Sequence, residues 1–202
     1  DLTDKDQIVN KDAVSMLVSL GIIEGKPDGS YGPTENVDRA QMAKMLSVIM
    51  NKGVDNSALY QSVNSGLTDI TSHWAKGHIN YCYTTGIIAG RGNGKFDPDA
   101  GVTGSEAAKM LLVAAGYDPA IEGLTGTDWE INTNALASKL GIFRNFKGSV
   151  AEPLSRDNAA LLIYNALDVE MIESYTNNGY AMAYSDARTI LSSMYGVYKV
   201  EG

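Results

Sequence analysis

The chain has 202 residues, 44% hydrophobic and 20% charged, in the range of a globular protein. Its net charge of −8 opposes a nucleic-acid partner, which needs a basic face, and equally opposes electrostatic docking on anionic lipid. No apolar run reaches the roughly 18 residues of a membrane span, and the single Cys82, near Ile79 and Tyr83, rules out an intrachain disulfide and reads as a buried thiol.

The chain opens on Asp1 rather than Met and without an apolar leader, so its start reads as processed or cloned. Leu2-Thr3-Asp4 is followed by Ala13, Val14, Met16, Leu17 and Leu20, a helical stripe that Gly21 ends. Gly21-Ile22-Ile23-Glu24-Gly25 then leads into a loop, Gly25 to Pro33, in which Asp28-Gly29 marks a turn and Tyr31 is positioned to anchor it. A second helix starts at the cap Asp38 with Gln41 three residues on, and runs through Ala43, Met45, Leu46 and Ile49. Residues 53–65 read as a linker with room for a short helix at Ala58 to Val63.

The same order then recurs. Leu67-Thr68-Asp69 precedes a helix with Trp74, Ile79, Cys82 and Tyr83, then Gly86-Ile87-Ile88-Ala89-Gly90. The loop of Asn93-Gly94, Phe96 and Pro98 follows, and then a helix capped by Thr103 and Glu106 with Ala107, Met110 and Leu111 inside. After a linker at 117–125, a third copy carries Trp129, Ile131, Ala135, Leu136 and Leu140, then Gly141-Ile142-Phe143-Arg144-Asn145. Its loop keeps a proline, Pro153, but no Asp-Gly; its last helix begins at Ser155 with Asn158 and carries Ala159, Leu162 and Ile163. The units are 1–52, 66–116 and 126–168, and the fold class is all-α: three helix-loop-helix repeats that need one another to bury their apolar stripes. Residues 169–202 fall outside the repeat, with Ser185-Asp186 as a helix cap, Val197 to Val200 as a strand, and the look of a lead into a further region.

Arg39 and Arg156 directly follow their caps, where the helix dipole disfavours a cation by about 0.3–1 kcal/mol. Beside free helix-terminal N–H groups, an arginine fork suits a carboxylate or phosphate; an ion pair with Asp4 or Asp69 of a neighbouring unit is the structural alternative. Trp74 and Trp129 suit either sugar stacking or helix packing, and packing is the commoner role. His73 and His78 miss the spacing of a zinc pair, the Asp-Gly loops lack an EF-hand ladder, and no hydrolase or phosphate-loop motif is present, so neither a metal, a cofactor nor an enzyme is expected.

Together these residues resemble the S-layer homology family. The middle unit carries Asp69, His73-Trp74-Ala75, Gly86 to Gly90, Phe96-Asp97-Pro98 and Thr103-Gly104-Ser105-Glu106; the outer units match at Asp38-Arg39-Ala40-Gln41 and Ser155-Arg156-Asp157-Asn158. The resemblance implies a pseudo-threefold, three-pronged domain at the bacterial cell wall or S-layer. It implies grooves that bind secondary cell-wall polysaccharide, often a pyruvylated amino-sugar, through Arg39, Arg156, Asp4, Asp69, Trp74 and Trp129, with Gly29 and Gly94 of the loops near the sugar. Direct peptidoglycan binding and self-association in a surface lattice stay open as alternatives. Gly104 stands in place of the arginine and Val9 in place of a tryptophan, so the groove of Gly104 is expected to bind weakly or not at all.

Overall fold

The computed structural model describes residues 1–200, which form seven α-helices and one short hairpin. In chain order these are α1 (Lys11–Ser19), α2 (Arg39–Met50), α3 (Lys76–Thr84), α4 (Gly104–Ala114), α5 (Trp129–Lys139), α6 (Arg156–Ala166), β1 (Ile172–Tyr175), β2 (Ala181–Ala183) and α7 (Ile190–Tyr195). A single 3-10 turn, Ser57–Tyr60, occupies the linker at 53–65.

Local chemistry sets the helix ends. Asp38, Thr103 and Ser155 each accept from the N–H three residues on; Gln41 and Glu106 return the bond, whereas no such return is made by Asn158. The helices α1, α3 and α5 stop where Gly21, Gly86 and Gly141 turn left-handed, at φ of 71°, 81° and 82°. The isoleucines that follow, Ile22, Ile23, Ile87, Ile88 and Ile142, all drop into the core, and Tyr31 and Phe96 pin the first two loops to it.

The units interlock rather than stand side by side. Each first helix lies on the second helix of the preceding unit: α3 on α2, α5 on α4, and α1 back on α6. At the centre the chain closes a ring of three hydrogen bonds. Val37 N–H donates to Leu154 O (3.0 Å), Leu154 N–H to Val102 O (2.8 Å) and Val102 N–H to Val37 O (3.2 Å). All three side chains are buried, so this ring is the pseudo-threefold axis of the molecule.

Several expectations need correction. In the third unit Ile131 is 71% exposed and Ala135 is also exposed; the buried face of α5 is Thr133 and Ala137, because α5 meets α4 rather than its own partner helix. Trp74 lies ahead of α3 and is not in its stripe. At the C-terminal end the cap is Thr189, with Ser192 completing its box, not Ser185-Asp186. Val197 to Val200 form no strand; the hairpin lies earlier, at β1 and β2, and residues 201 and 202 lie outside the described ones.

Pro153 is not the counterpart of Pro33 and Pro98. Those two carbonyls accept from Asp157 and Ala40, at the second position of α6 and α2. The same bond from Ser105 of α4 goes to Val150 (2.9 Å). Pro153 instead bridges to Thr103, as Asn36 does to Ser155 and Gly101 to Asp38.

Candidate functional site

The arginines, aspartates and loop aromatics form two matching clamps. Asp69 accepts from Phe96 N–H (3.0 Å) and Asp97 N–H (2.8 Å), while Arg39 Nε donates to Phe96 O (2.8 Å) and its guanidinium lies 4.5 Å from the Phe96 ring centroid. Asp4 accepts from Tyr31 N–H and Gly32 N–H (both 2.8 Å), while Arg156 Nε donates to Tyr31 O (2.8 Å) and lies 4.8 Å over the Tyr31 ring. An aromatic residue is thus held at its N–H by a carboxylate from its own unit and at its carbonyl by an arginine from another. The N–H groups of Tyr31 and Gly32 hold the Asp4 carboxyl below the usual carboxylate range. Burial pushes Asp69 up, but the N–H groups of Phe96 and Asp97 outweigh it and leave it below that range.

Neither arginine makes an ion pair with Asp4 or Asp69, and neither sits beside free helix-terminal N–H groups. Arg39 is only 3% exposed; besides Phe96 it donates to Ala89 O (2.6 Å), and its nearest carboxylate is Glu106 at 3.9 Å. Burial, with the Arg91 guanidinium beside it, pushes Arg39 down to about 10. The first two N–H groups of α2 go to Ala100 O and Pro98 O, and those of α6 to Glu35 O and Pro33 O. The cation at each helix start is stabilised by carbonyls and a ring face across the unit boundary, which offsets the dipole penalty.

Three grooves follow from the interlocking. The first, about 190 Å³, is lined by Ile22 to Gly25, by Gln41, Lys44 and Met45 of α2, by Trp74 and by Arg156. The second, about 360 Å³, is lined by Gly86 to Arg91, by Glu106, Lys109, Met110 and Val113 of α4, by Trp129 and by Arg39. Each of these takes its loop and helix from one unit, its tryptophan from the next and its arginine from the third. Trp74 is 57% exposed, and Trp129 stands 5.7 Å from the Lys109 ammonium. In both grooves the loop leaves free donors: Glu24, Gly25, Ala89 and Gly90 N–H have no acceptor among the described residues. The structure therefore brings Trp74 to Arg156 and Trp129 to Arg39. Asp4, Asp69, Gly29 and Gly94 stand outside these linings, where they shape the loops.

Lys44 and Lys109 were missed from sequence. Burial pushes Lys109 down, and Arg91 is held to Glu106 at 3.1 Å. The signal was available: Lys44-Met45 recurs as Lys109-Met110 at the same place after the cap, whereas the third unit has Leu161-Leu162.

The third groove, about 640 Å³, is built from Val9 to Ala13, Arg144, Asn145, Leu161, Tyr164, Asn165, Asp168, Lys199 and Val200. Val9 takes the tryptophan's place. The whole clamp is gone as well: in the matching places stand Leu124 for the aspartate, Gly148 for the aromatic and Gly104 for the arginine. A Cβ on Gly104 would lie 2.8 Å from Val150 Cα, so the third loop fills the room that an arginine stem needs. The third glycine loop also curls on itself, with Arg144 N–H on Gly141 O and Phe146 N–H on Phe143 O, and Asn165 holds the Ile142 and Arg144 carbonyls.

The sequence pattern of the S-layer homology domain matches residues 1–43 and 66–108. The chain is 31% identical over 170 residues to the cell surface protein of Thermoanaerobacter kivui, a match covering 84% of this chain and 21% of that protein. It is 32% identical to the S-layer protein of Bacillus licheniformis over 59% of this chain and 13% of the relative. The S-layer protein EA1 of Bacillus anthracis is likewise 32% identical, over 58% of this chain and 13% of its own length. The chain thus spans about a fifth of the first relative and less of the other two. With two segments matching the domain and the first of these relatives 31% identical over 84% of the chain, the chain belongs to the S-layer homology family.

Proposed function

We propose that this chain anchors a protein to the bacterial cell surface by binding an acidic cell-wall glycan in its first and second grooves. The observation that carries the reading is the repeated grouping of a tryptophan, a lysine on the second helix and free loop N–H groups in two concave sites. A tryptophan face suits a sugar ring, the N–H groups suit its oxygens, and Lys44 or Lys109 suits a carboxylate such as a pyruvyl ketal. Arg39 and Arg156 act mainly by holding the loops, and the Arg39 guanidinium has little surface left to offer. The reading is one of binding without chemistry.

The relatives are named as S-layer and cell surface proteins, which supports an extracellular place at the wall. The secondary cell-wall polysaccharide is the ligand class that the acidic-sugar chemistry fits best. Sedimentation with purified walls tests it. Binding is expected to native walls and to be lost after acid stripping of the polysaccharide. Retained binding to stripped walls would mean peptidoglycan recognition, and concentration-dependent assembly without walls would mean a lattice role; either overturns the proposal.

A further inference from the structure

The third groove has lost the tryptophan, the lysine and the clamp that mark the other two, yet it is far from featureless. Its wall is the C-terminal turn of α6, where the last carbonyls have no partner within the helix and the dipole is negative. Tyr164 offers one of these carbonyls and also its ring, and Asp168 follows just beyond the helix end. A carbonyl, a carboxylate and a π face converging on one point make a site for an ammonium group.

One ammonium is there. After α7 the chain turns at Gly196, left-handed at φ 63°, and crosses to the groove. Lys199 Nζ donates to Tyr164 O (2.7 Å), lies 2.7 Å from Asp168 Oδ2 and stands 3.4 Å from the Tyr164 ring centroid. Its side chain is 15% exposed, whereas the Asp168 side chain remains 44% exposed at the rim. The Arg144 guanidinium opposes it as a like charge, so the ammonium is held against a repulsion.

We infer that the third groove is a lysine-binding cradle whose occupant is Lys199 of the same chain. The groove thereby ties residues 196–200 to the C-terminal end of α6 and fixes where the chain leaves the helical body. This does not rest on the glycan reading, because it requires no ligand from outside.

Pulsed acetylation of lysines, read residue by residue by mass spectrometry on the whole chain, tests it. Lys199 is expected to react at least about tenfold more slowly than the exposed Lys52, Lys95 and Lys139, a factor within the reach of one charge-assisted hydrogen bond. Asp168→Asn and, separately, Tyr164→Leu are expected to raise the Lys199 rate toward that of the exposed lysines, with circular dichroism checking that the helices persist. The wild-type comparison needs no variant and stands even if one of these fails to fold. A wild-type Lys199 that reacts as fast as Lys52, or protection that survives both substitutions, overturns the inference.

Discussion

The first two grooves and the third share one backbone plan but differ in how their loops are held. In the first two, an aspartate and an arginine grip an aromatic from opposite ends, and the glycine loop is left with N–H groups that have no acceptor among the described residues. In the third, aspartate, aromatic and arginine have gone together, the loop curls shut, and Val150 packs against the bare Cα of Gly104. Loss of all three parts is what a clamp should show, since an aspartate or arginine without the aromatic residue between them has nothing to grip. The difference teaches that the motif arginine is first a loop-holding residue, set on a carbonyl and a ring of another unit.

The largest expected effect strikes that distinction directly. Arg39→Ala leaves two carbonyls and the Glu106 carboxylate without their buried cation, and is expected to cost about 3–5 kcal/mol of stability in urea unfolding. Arg156→Ala, half-buried and with one carbonyl at stake, is expected to cost only about 1–2 kcal/mol. Equal and negligible losses would show that the arginines are surface groups kept for a ligand alone.

Gly104→Arg tests the comparison from the other side. The new side chain meets Val150 backbone rather than a cleft, so a loss of about 1–3 kcal/mol is expected from overpacking, with no gain of a sugar site. A stable variant with an added site would mean that the third groove lacks only its cation.

Lys109→Met keeps an unbranched side chain of similar reach but removes the charge that stands 5.7 Å from the Trp129 ring. Stability is expected to change by no more than about 0.5 kcal/mol. Affinity for a pyruvylated disaccharide at the second groove is expected to fall about tenfold, the worth of one charge-assisted hydrogen bond. The matching Lys44→Met in the first groove is expected to act alike, and unchanged affinity in both would return the acidic group to the arginines.

The smallest expected effect separates the unit boundaries. The boundary of α2 and α3 carries a buried histidine: Ser47 Oγ meets His78 Nδ1 at 2.5 Å, and Asp55 stands 3.6 Å from His78 Nε2. The places of Ser47 and His78 are taken by Leu112 and Thr133, and then by Tyr164 and Ala13. Burial pushes His78 below its usual 6.5, with Asp55 opposing and Lys44 reinforcing the shift. The unfolded chain therefore binds this proton more readily, so the contribution is intact above about pH 6.5 and is lost as the pH falls below it. His78→Gln is expected to flatten the stability–pH curve between about pH 7.5 and 5.5; an unchanged slope would remove His78 from the account.

Much of the local structure was legible before folding. Gly21, Gly86 and Gly141 announce helix ends because only a residue without Cβ turns left-handed at no cost, and Asp38, Thr103 and Ser155 announce helix starts through side chains that reach their own backbone. What resisted reading depends on partners distant in sequence. Ile131 looks like core until α5 is seen to lie on α4, and Pro153 looks like the loop proline until Ser105 N–H is found on Val150 O. The arginine site was half-legible: the cation placed against the dipole marks Arg39 and Arg156 as unusual, but the carbonyls that satisfy them come from a loop of another unit. Lys44 and Lys109 are legible by comparing copies, but a lysine on a helix face carries no signal by itself until the groove beside it is seen.

The central claim is that two grooves carry the parts for a sugar and that the third has lost their tryptophan, lysine and clamp. Isothermal titration of the intact chain with a pyruvylated disaccharide measures this most directly. The account predicts two sites per chain, one weakened about tenfold in Lys44→Met, the other in Lys109→Met, and the count unchanged in Gly104→Arg. Three sites of equal affinity, or two sites whose affinity is unchanged when both lysines are substituted together, would contradict it.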